Sequence, residues 1–255
     1  MTSIWPPPNW VDLLFAIFVA AAVMVGAAPK SHAQIVEPEV EKGQRKVEAF
    51  SAFVSGFNGG AAGDTREVLS LGYHHGLTDF WLFKAIVVAE RPVHGDHQGT
   101  AVAVENVFEL QNAKRAGGIG YAWFTGISVG VNDDETNAVI FGPVVRLGAG
   151  DTSLILNPFL EQTFGRNRDE GVAFLYGWQL KHQVRTGFAV GIEGFGRFQD
   201  IGGQGGIEEH RLGPLLVFEL PLAGKQSISL EAGWLLGLNE ATPDHTIKFQ
   251  LTYAY

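Results

Sequence analysis

The chain has 255 residues, of which 46% are hydrophobic and only 18% are charged, and it contains no Cys. This composition is too apolar for a disordered protein, and the missing Cys excludes disulfide-stapled scaffolds, thiol catalysis and Cys-ligated metal sites. The net charge of −9, with 18 scattered Lys and Arg residues, argues against a general nucleic-acid-binding protein, which needs clustered basic residues.

The first 33 residues have the features of a secretory signal peptide. A nearly unbroken apolar run covers residues 13–28, and Ser31 and Ala33 are small residues at the first and third positions of a cleavage site. The run is shorter than the roughly 20 residues of a membrane-spanning helix. Because the n-region lacks Lys and Arg, an uncleaved N-terminal anchor is the alternative. Residues 34–44 are then expected to form a periplasmic segment and 45–255 the exported domain.

After residue 44, apolar side chains recur at every second position, which is typical of half-buried β-strands. Within 171–183, for example, Tyr176 and Trp178 lie on one face, and Gln179 and Lys181 lie on the other. Twelve such runs are predicted, and they start near Arg45, Arg66, Phe80, Thr100, Gly118, Asn137, Thr152, Gly171, Arg185, Glu208, Lys225 and His245. Most have about the length of a tilted strand that crosses a bilayer, roughly 9–11 residues or slightly more. The first run alternates poorly.

The connections between these runs alternate between long and short. Long connections are expected at 58–65, 92–99 and 200–207, and short ones at 76–79, 150–151 and 221–224. Outer-membrane barrels have long loops on one side of the membrane and tight turns on the other. The sequence therefore predicts an all-β, transmembrane, antiparallel up-and-down β-barrel of about 12 strands, with both chain ends at the short-turn side.

Three prolines fall inside predicted strands, namely Pro143, Pro158 and Pro214. Proline has no backbone N–H to donate to a neighbouring strand, so it is unusual in the middle of a sheet. Bulges or local breaks in strand pairing are expected at these positions.

Tyr and Trp residues on the apolar face predict a girdle at the membrane surface, because their rings are apolar and their tips are polar. The predicted girdle comprises Tyr73, Trp81, Tyr121, Trp123, Trp178, Tyr253 and Tyr255 in the short-turn half, with Trp234 towards the opposite end.

Charged residues on the opposite face must point into the barrel, since a charge in hydrocarbon costs several kcal/mol. The predicted lumen-lining residues are Arg146, Lys181, Arg185, Arg197, Arg211 and Lys248, facing Glu105, Glu109, Glu161, Glu193, Glu219 and Glu231. The leading hypothesis is a narrow outer-membrane channel for small solutes. The alternative is a structural or surface-interaction barrel whose lumen is closed by the same charges acting as salt-bridged struts.

The sequence contains neither a Gly-x-Ser-x-Gly nor a His-Glu-x-x-His motif, so no enzymatic activity is predicted. A barrel hydrolase would require a His and a Ser within hydrogen-bond reach on the outer face. His94, Asp96 and His97 lie in a short polar loop, which favours exposed turn residues over a metal site. No metal or cofactor is expected.

The segment Leu71–Trp81 (LGYHHGLTDFW), followed by Val104–Leu110 (VENVFEL), resembles uncharacterised proteobacterial outer-membrane barrel proteins. It is distantly similar to the group containing the meta-pathway phenol-degradation transporter family and copper resistance protein B. The resemblance implies an outer-membrane location and recognition of the last strand by the barrel-assembly machinery through the terminal aromatic residues Tyr253 and Tyr255. It supports the location and fold more than the cargo, which the leading hypothesis takes to be a small, aromatic or otherwise hydrophobic solute. Membrane lipid and lipopolysaccharide are the other expected partners.

Overall fold

A computed structural model of the chain describes residues 34–61, 63–114, 116–131, 136–203 and 208–255. The predicted signal peptide lies outside the described residues. Within them, twelve strands form one closed barrel. The strands are β1 (Arg45–Ser55), β2 (Thr65–Gly76), β3 (Trp81–Arg91), β4 (Gln98–Gln111), β5 (Ile119–Gly130), β6 (Asn137–Ala149), β7 (Thr152–Phe164), β8 (Ala173–Arg185), β9 (Phe188–Phe198), β10 (Glu208–Pro221), β11 (Ser227–Gly237) and β12 (His245–Ala254).

Each strand pairs antiparallel with its neighbours in sequence, and β1 pairs with β12 to close the barrel. All twelve strands begin within three residues of the predicted positions. The backbone N–H of Arg45 donates to the carbonyl of Tyr255 (3.1 Å), and that of Tyr255 donates back (2.9 Å). These bonds put both ends of the barrel chain at the short-turn side, so the predicted fold class is confirmed. No helix of the described residues is long and apolar enough to span a membrane.

Strand β1 alternates poorly in sequence because its inner face is apolar as well as its outer face. Phe50, Ala52 and Val54 point inwards and are buried. Phe50 and Ala52 lie in an apolar cluster with Leu235 of β11 and Phe195 of β9. Part of the lumen is therefore filled by packed hydrocarbon, which period-two alternation does not predict.

The prolines coincide with local breaks in strand pairing, one of the two outcomes expected from the sequence. Between β6 and β7 the pairs on both sides of Pro143 and Pro158 are present, but three opposed positions in the middle do not pair. The pairing of β10 with β11 likewise skips Pro214. In neither case does the register change. Register shifts occur elsewhere, in β3–β4, β4–β5 and β8–β9.

Residues 34–40 run inside the short-turn half of the barrel, and residues 41–44 lie at its rim. The periplasmic location expected for this segment stays a prediction. Val36 is 7% exposed and packs against Leu82, Val107 and Ile155, which point inwards from three different strands. The physical reason is complementarity, because the acidic residues of this segment meet basic side chains of the lumen. We call residues 34–44 the inner segment.

Candidate functional site

The inner segment is held by ion pairs and by backbone hydrogen bonds to side chains of the lumen. Lys181 Nζ lies 2.9 Å from Glu37 Oε1, and Arg146 Nη1 lies 2.9 Å from Glu39 Oε1. The N–H of Val40 donates to Glu109 Oε2 at 2.7 Å. Three predicted lumen-lining residues therefore bind the segment directly.

Asn157 anchors the deepest part of the inner segment. Its Oδ1 accepts from the backbone N–H of Val36 (2.8 Å), and its Nδ2 donates to the carbonyl of the same residue (3.0 Å). Asn157 is only 2% exposed. A buried backbone N–H and C=O each need a partner, and this one side chain satisfies both groups.

At mid-depth, Glu193 and Lys248 form an ion pair that is closed to solvent. Lys248 Nζ lies 2.8 Å from Glu193 Oε2, and the two side chains are 2% and 0% exposed. The same ammonium lies 4.9 Å from the centre of the Phe195 ring, and Gln179 Nε2 donates to the carboxylate at 3.2 Å. Glu231 lies next to this group, 3.5 Å from Gln179 Nε2 and 3.9 Å from Lys181 Nζ.

The long-loop half of the lumen contains further ion pairs. Arg197 contacts Glu161 at 2.5 Å and Asp169 at 3.7 Å, and Arg211 contacts Glu209 at 2.6 Å. Towards mid-depth, Glu105 lies 3.3 Å from Lys84 of the neighbouring strand. Ten of the twelve predicted lumen-lining residues thus make polar contacts with groups inside the barrel: Glu105, Glu109, Arg146, Glu161, Lys181, Glu193, Arg197, Arg211, Glu231 and Lys248.

Arg185 and Glu219 lie apart from this network, at the short-turn rim. The Arg185 guanidinium lies 5.9 Å from the centre of the Phe188 ring, which packs against Phe218 on the outer face. A register shift after Gln183 reverses the alternation at the end of β8, so Arg185 pairs with outward-facing Phe188. Its predicted lumen position is therefore wrong. Glu219 is exposed at the same rim, and its backbone N–H donates to Gly187.

Two cavities border the inner segment. They measure about 60 and 120 Å³, and both are lined by Ile35, Glu48, Lys84 and Gln250. The two cavities are adjacent, because they share these four side chains.

Several residues of this site were not singled out from the sequence, namely Glu37, Glu39, Glu48, Asn157, Gln179 and Gln250. Asn157 does carry a signal, because it is a lone polar residue at an inward position of an otherwise apolar run. Glu48 lies in the poorly alternating first strand. Glu37 and Glu39 precede the first strand, where no alternation assigns a side chain to the lumen, so their positions could not be predicted.

The pKa values of Glu37 and Glu39 move in opposite directions when the inner segment is docked. The Lys181 ammonium lowers the pKa of Glu37 from 4.5 to about 2, against the effect of burial. Burial, assisted by the negative charge of Glu37, raises the pKa of Glu39 above 4.5. Protonation of Glu37 therefore opposes docking, whereas protonation of Glu39 favours it.

We expect docking of the inner segment to weaken as the pH falls from about 4.5 towards 2. In this window the free Glu37 becomes protonated, and the ion pair with Lys181 loses its contribution. The measurement is protease cleavage of the segment as a function of pH in a refolded barrel. Glu37→Gln should abolish the acid-dependent cleavage and Glu39→Gln should retain it. Equal acid profiles for wild type and Glu37→Gln would contradict the assignment.

The predicted girdle residues project outwards. Tyr121, Trp123 and Trp234 are 41%, 41% and 50% exposed. Trp81 stacks on Phe108 and donates its Nε1 hydrogen to Asn106 at 2.9 Å. The remaining members lie on the same outward-facing side of their strands: Tyr73, Trp178, Tyr253 and Tyr255. At the long-loop end the Tyr176 hydroxyl lies 2.9 Å from His210 Nδ1, within an outer aromatic cluster that was not predicted.

One Ser–His pair on the outer face has the placement that a barrel hydrolase would require. Ser55 and His245 are cross-strand partners on the outer face, but no hydrogen bond joins them, and the imidazole packs near Trp234. Among the residues that the structure describes, no three His, Asp or Glu side chains converge to hold a metal ion. In the polar loop, His97 contacts Glu67 at 2.8 Å.

The exterior of the barrel is suited to lipid. Large apolar side chains are exposed on neighbouring strands around it, including Leu110, Ile127, Leu147, Ile192, Leu216, Phe218, Leu230, Ile247, Phe249 and Leu251. Monomeric soluble proteins rarely expose contiguous apolar surfaces of this kind. The closed antiparallel barrel, its apolar exterior and its charged interior define the protein as a bacterial outer-membrane β-barrel.

Comparison with solved structures supports this class. The COG4313 outer membrane channel from Pseudomonas putida F1 is 12% identical, with a TM-score of 0.56 over 88% of this chain and 99% of that one. The β domain of the Bordetella autotransporter BrkA is 12% identical, with a TM-score of 0.51 over 84% and 99%. The KdgM porin in complex with disordered oligogalacturonate is 10% identical, with a TM-score of 0.49 over 82% and 98%.

The first two likenesses show the fold alone, because the sequence identities are low. No family model matches the chain, and no curated protein matches it. The finer resemblance to the phenol-degradation transporters and to copper resistance protein B is not among these findings and stays a prediction.

Proposed function

We propose that this protein is a narrow outer-membrane channel for small solutes that is closed at rest by its inner segment. The observation that carries the proposal is that the inner segment lies in the lumen. Residues 34–40, which belong to no strand, occupy the short-turn half of the lumen together with side chains of the barrel. Several of the contacts that hold them are solvent-accessible, such as the Glu37 side chain, which is 44% exposed. Ion pairs of this kind contribute about 1 kcal/mol or less, so they permit release.

Release of the segment would leave a polar passage. Lys181, Arg146 and Glu109 would lose their partners in the segment and face water, with Glu231 beside them. Opposed charges of this kind orient a dipolar solute. The COG4313 protein, whose name describes it as a channel, has a similar barrel. The solute that we propose is small and aromatic or otherwise hydrophobic.

The test is conductance in planar bilayers. We compare a refolded chain beginning at Gln34 with one beginning at Gly43, which lacks most of the inner segment. The truncated barrel should conduct at least several times better, because the passage beside Lys181 and Arg146 is no longer blocked. Arg185→Ala, which removes a basic side chain from outside the lumen, is the matched control and should behave as wild type. Absence of conductance in both chains would refute the channel.

A second candidate is a structural or surface-interaction barrel with a permanently closed lumen. It is favoured by the apolar cluster around Phe195 and Leu235 and by the dry Lys248–Glu193 pair. In this case truncation to Gly43 would produce no conductance. The long loops would then be the part of the protein that binds a partner. The bilayer recordings therefore separate the two functions.

The proposed partners follow from the membrane location. Tyr253 and Tyr255 stack at the end of the last strand, with ring centres 5.4 Å apart. We propose that this aromatic end is recognised by the barrel-assembly machinery. Lipopolysaccharide and phospholipid are the proposed contacts of the apolar exterior, with the girdle in the headgroup layers.

A further inference from the structure

The first residue of the inner segment, Gln34, lies within the lumen. Its Nε2 donates to Glu48 Oε1 at 3.1 Å, and it lines the smaller cavity together with Lys84 and Glu105. Glu48 is the fourth residue of β1, so it lies roughly 10 Å from the short-turn end of the strand, at about 3.3 Å per residue. The main-chain nitrogen of Gln34 therefore lies inside the barrel, beside the Glu48 carboxylate.

The Glu48 carboxylate has no close cation among the described residues. Its hydrogen bonds come from two neutral amides, Gln34 Nε2 at 3.1 Å and Gln250 Nε2 at 2.9 Å. His74 Nε2 lies 3.9 Å away, too far for a hydrogen bond, and the Glu48 side chain is only 14% exposed. Lys84 lies 3.3 Å from Glu105. A carboxylate that is largely removed from water is costly unless a cation pairs with it.

The larger cavity, which adjoins the first, has the same imbalance of charge. Its lining includes four carboxylates and two ammonium groups. Two of these carboxylates pair with Lys181 and Arg146, and the other two are those of Glu48 and Glu231. Lys46 lines the cavity and forms no ion pair within 4.0 Å in the described part of the chain. One ammonium group thus serves two carboxylates, and a further positive charge would balance them.

The sequence predicts the source of such a charge at Gln34. The predicted signal peptide ends at Ala33, so the predicted cut falls directly before Gln34. Cutting this bond turns a neutral peptide nitrogen into an α-amino group, which carries a positive charge at neutral pH. The charge would arise on the residue whose side chain already contacts Glu48.

We propose that the inner segment closes the barrel only after the chain is cut between Ala33 and Gln34, because the new α-ammonium of Gln34 pairs with Glu48. The cut hydrolyses one peptide bond: water supplies the hydroxyl group of the Ala33 carboxyl and a proton of the Gln34 amine. In an uncut chain this nitrogen is a neutral amide, so Glu48 lacks the counter-charge. The inference rests on the docked inner segment of the proposed function and adds the processing step that completes it.

The first measurement is the mass of the protein purified from outer membranes of cells that produce the full chain. We expect a chain that begins at Gln34 with a free amino group. N-terminal Gln can also cyclise, when its α-amine attacks the side-chain amide carbon and ammonia leaves. A chain that begins elsewhere, or one that has lost ammonia at Gln34, would overturn the ion pair.

The second measurement moves the α-ammonium without changing the barrel. One refolded chain begins at Gln34, and the other carries one additional Ala before it, which shifts the ammonium by up to about 3.6 Å. The readout is the rate at which a Glu-specific protease cuts after Glu39, followed by mass spectrometry. This rate reports the undocked fraction of the inner segment. We expect the extended chain to be cut roughly tenfold faster or more, because hydrogen bonds between charged groups are the strong ones.

Two variants separate the charge from the bulk of the added residue. Glu48→Gln removes the partner charge, so the additional Ala should then have no further effect on the cleavage rate. Glu105→Gln is the matched control: Glu105 lines the same cavity but pairs with Lys84, so the extension should still accelerate cleavage. An extension without effect in the otherwise unchanged chain, or with equal effects in both variants, would overturn the inference.

The outcome is independent of conductance, so the two proposals fail differently. If the chain truncated to Gly43 does not conduct but the extension accelerates cleavage, the channel function fails and the N-terminal ion pair stands. If the truncated chain conducts and the extension changes nothing, the channel stands and the ion pair is refuted.

Discussion

Lys248→Ala is expected to destabilise the barrel by about 3–5 kcal/mol, the largest effect of any single substitution in the lumen. The substitution leaves the Glu193 carboxylate, which is 0% exposed, without its counter-charge and with only Gln179 as a donor. It also removes the cation from the face of Phe195. Urea unfolding in lipid vesicles, followed by Trp fluorescence, measures the free energy of unfolding.

Two controls separate loss of the ion pair from loss of volume. Lys248→Met combined with Glu193→Gln should cost less than Lys248→Ala alone, because no unpaired charge remains buried. Lys225→Ala removes a Lys that is 85% exposed and should change the free energy of unfolding by less than about 0.5 kcal/mol. A Lys248→Ala barrel as stable as wild type would mean that water reaches Glu193, and the mid-depth lumen would then be open.

Asn157→Leu should release the inner segment without shortening the chain. Leucine can bond to neither backbone group of Val36, and each unsatisfied buried group costs about 1–3 kcal/mol. Docking is therefore weakened by about 2–6 kcal/mol, which shifts the balance towards the released state by roughly 30-fold or more. Conductance should approach that of the chain truncated to Gly43, and the segment should become sensitive to protease.

The comparison variants for Asn157 are Asn157→Asp and Gln162→Leu. Aspartate keeps the acceptor for the Val36 N–H and loses the donor to its carbonyl, so an intermediate conductance is expected. Gln162 is an exposed residue on the outer face of the same strand, and its replacement should leave conductance unchanged. If Asn157→Leu conducts no better than wild type, the two hydrogen bonds do not hold the segment in place.

The fold was predictable because the information for it is local. Alternation over 171–183, the tight turn at 150–151 and the length of each run together required a closed, membrane-sized barrel, and the twelve strands lie where the pattern placed them. Two positions differ from the prediction for local reasons that the alternation of apolar and polar residues does not reveal. Arg185 follows a register shift, and strand β1 buries Phe50 on a face that was expected to be polar.

The amino-acid sequence by itself determined which side of each strand meets lipid, because period two along a strand assigns every side chain to one of two faces. Only the tertiary structure decided what fills the lumen. Lys181 meets Glu37 across 144 residues, and Asn157 meets Val36 across 121. Charges of both signs line the interior, so many pairings were compatible with the sequence. The actual pairings depend on the offset between neighbouring strands and on the path of the inner segment. Both are fixed only when the barrel closes.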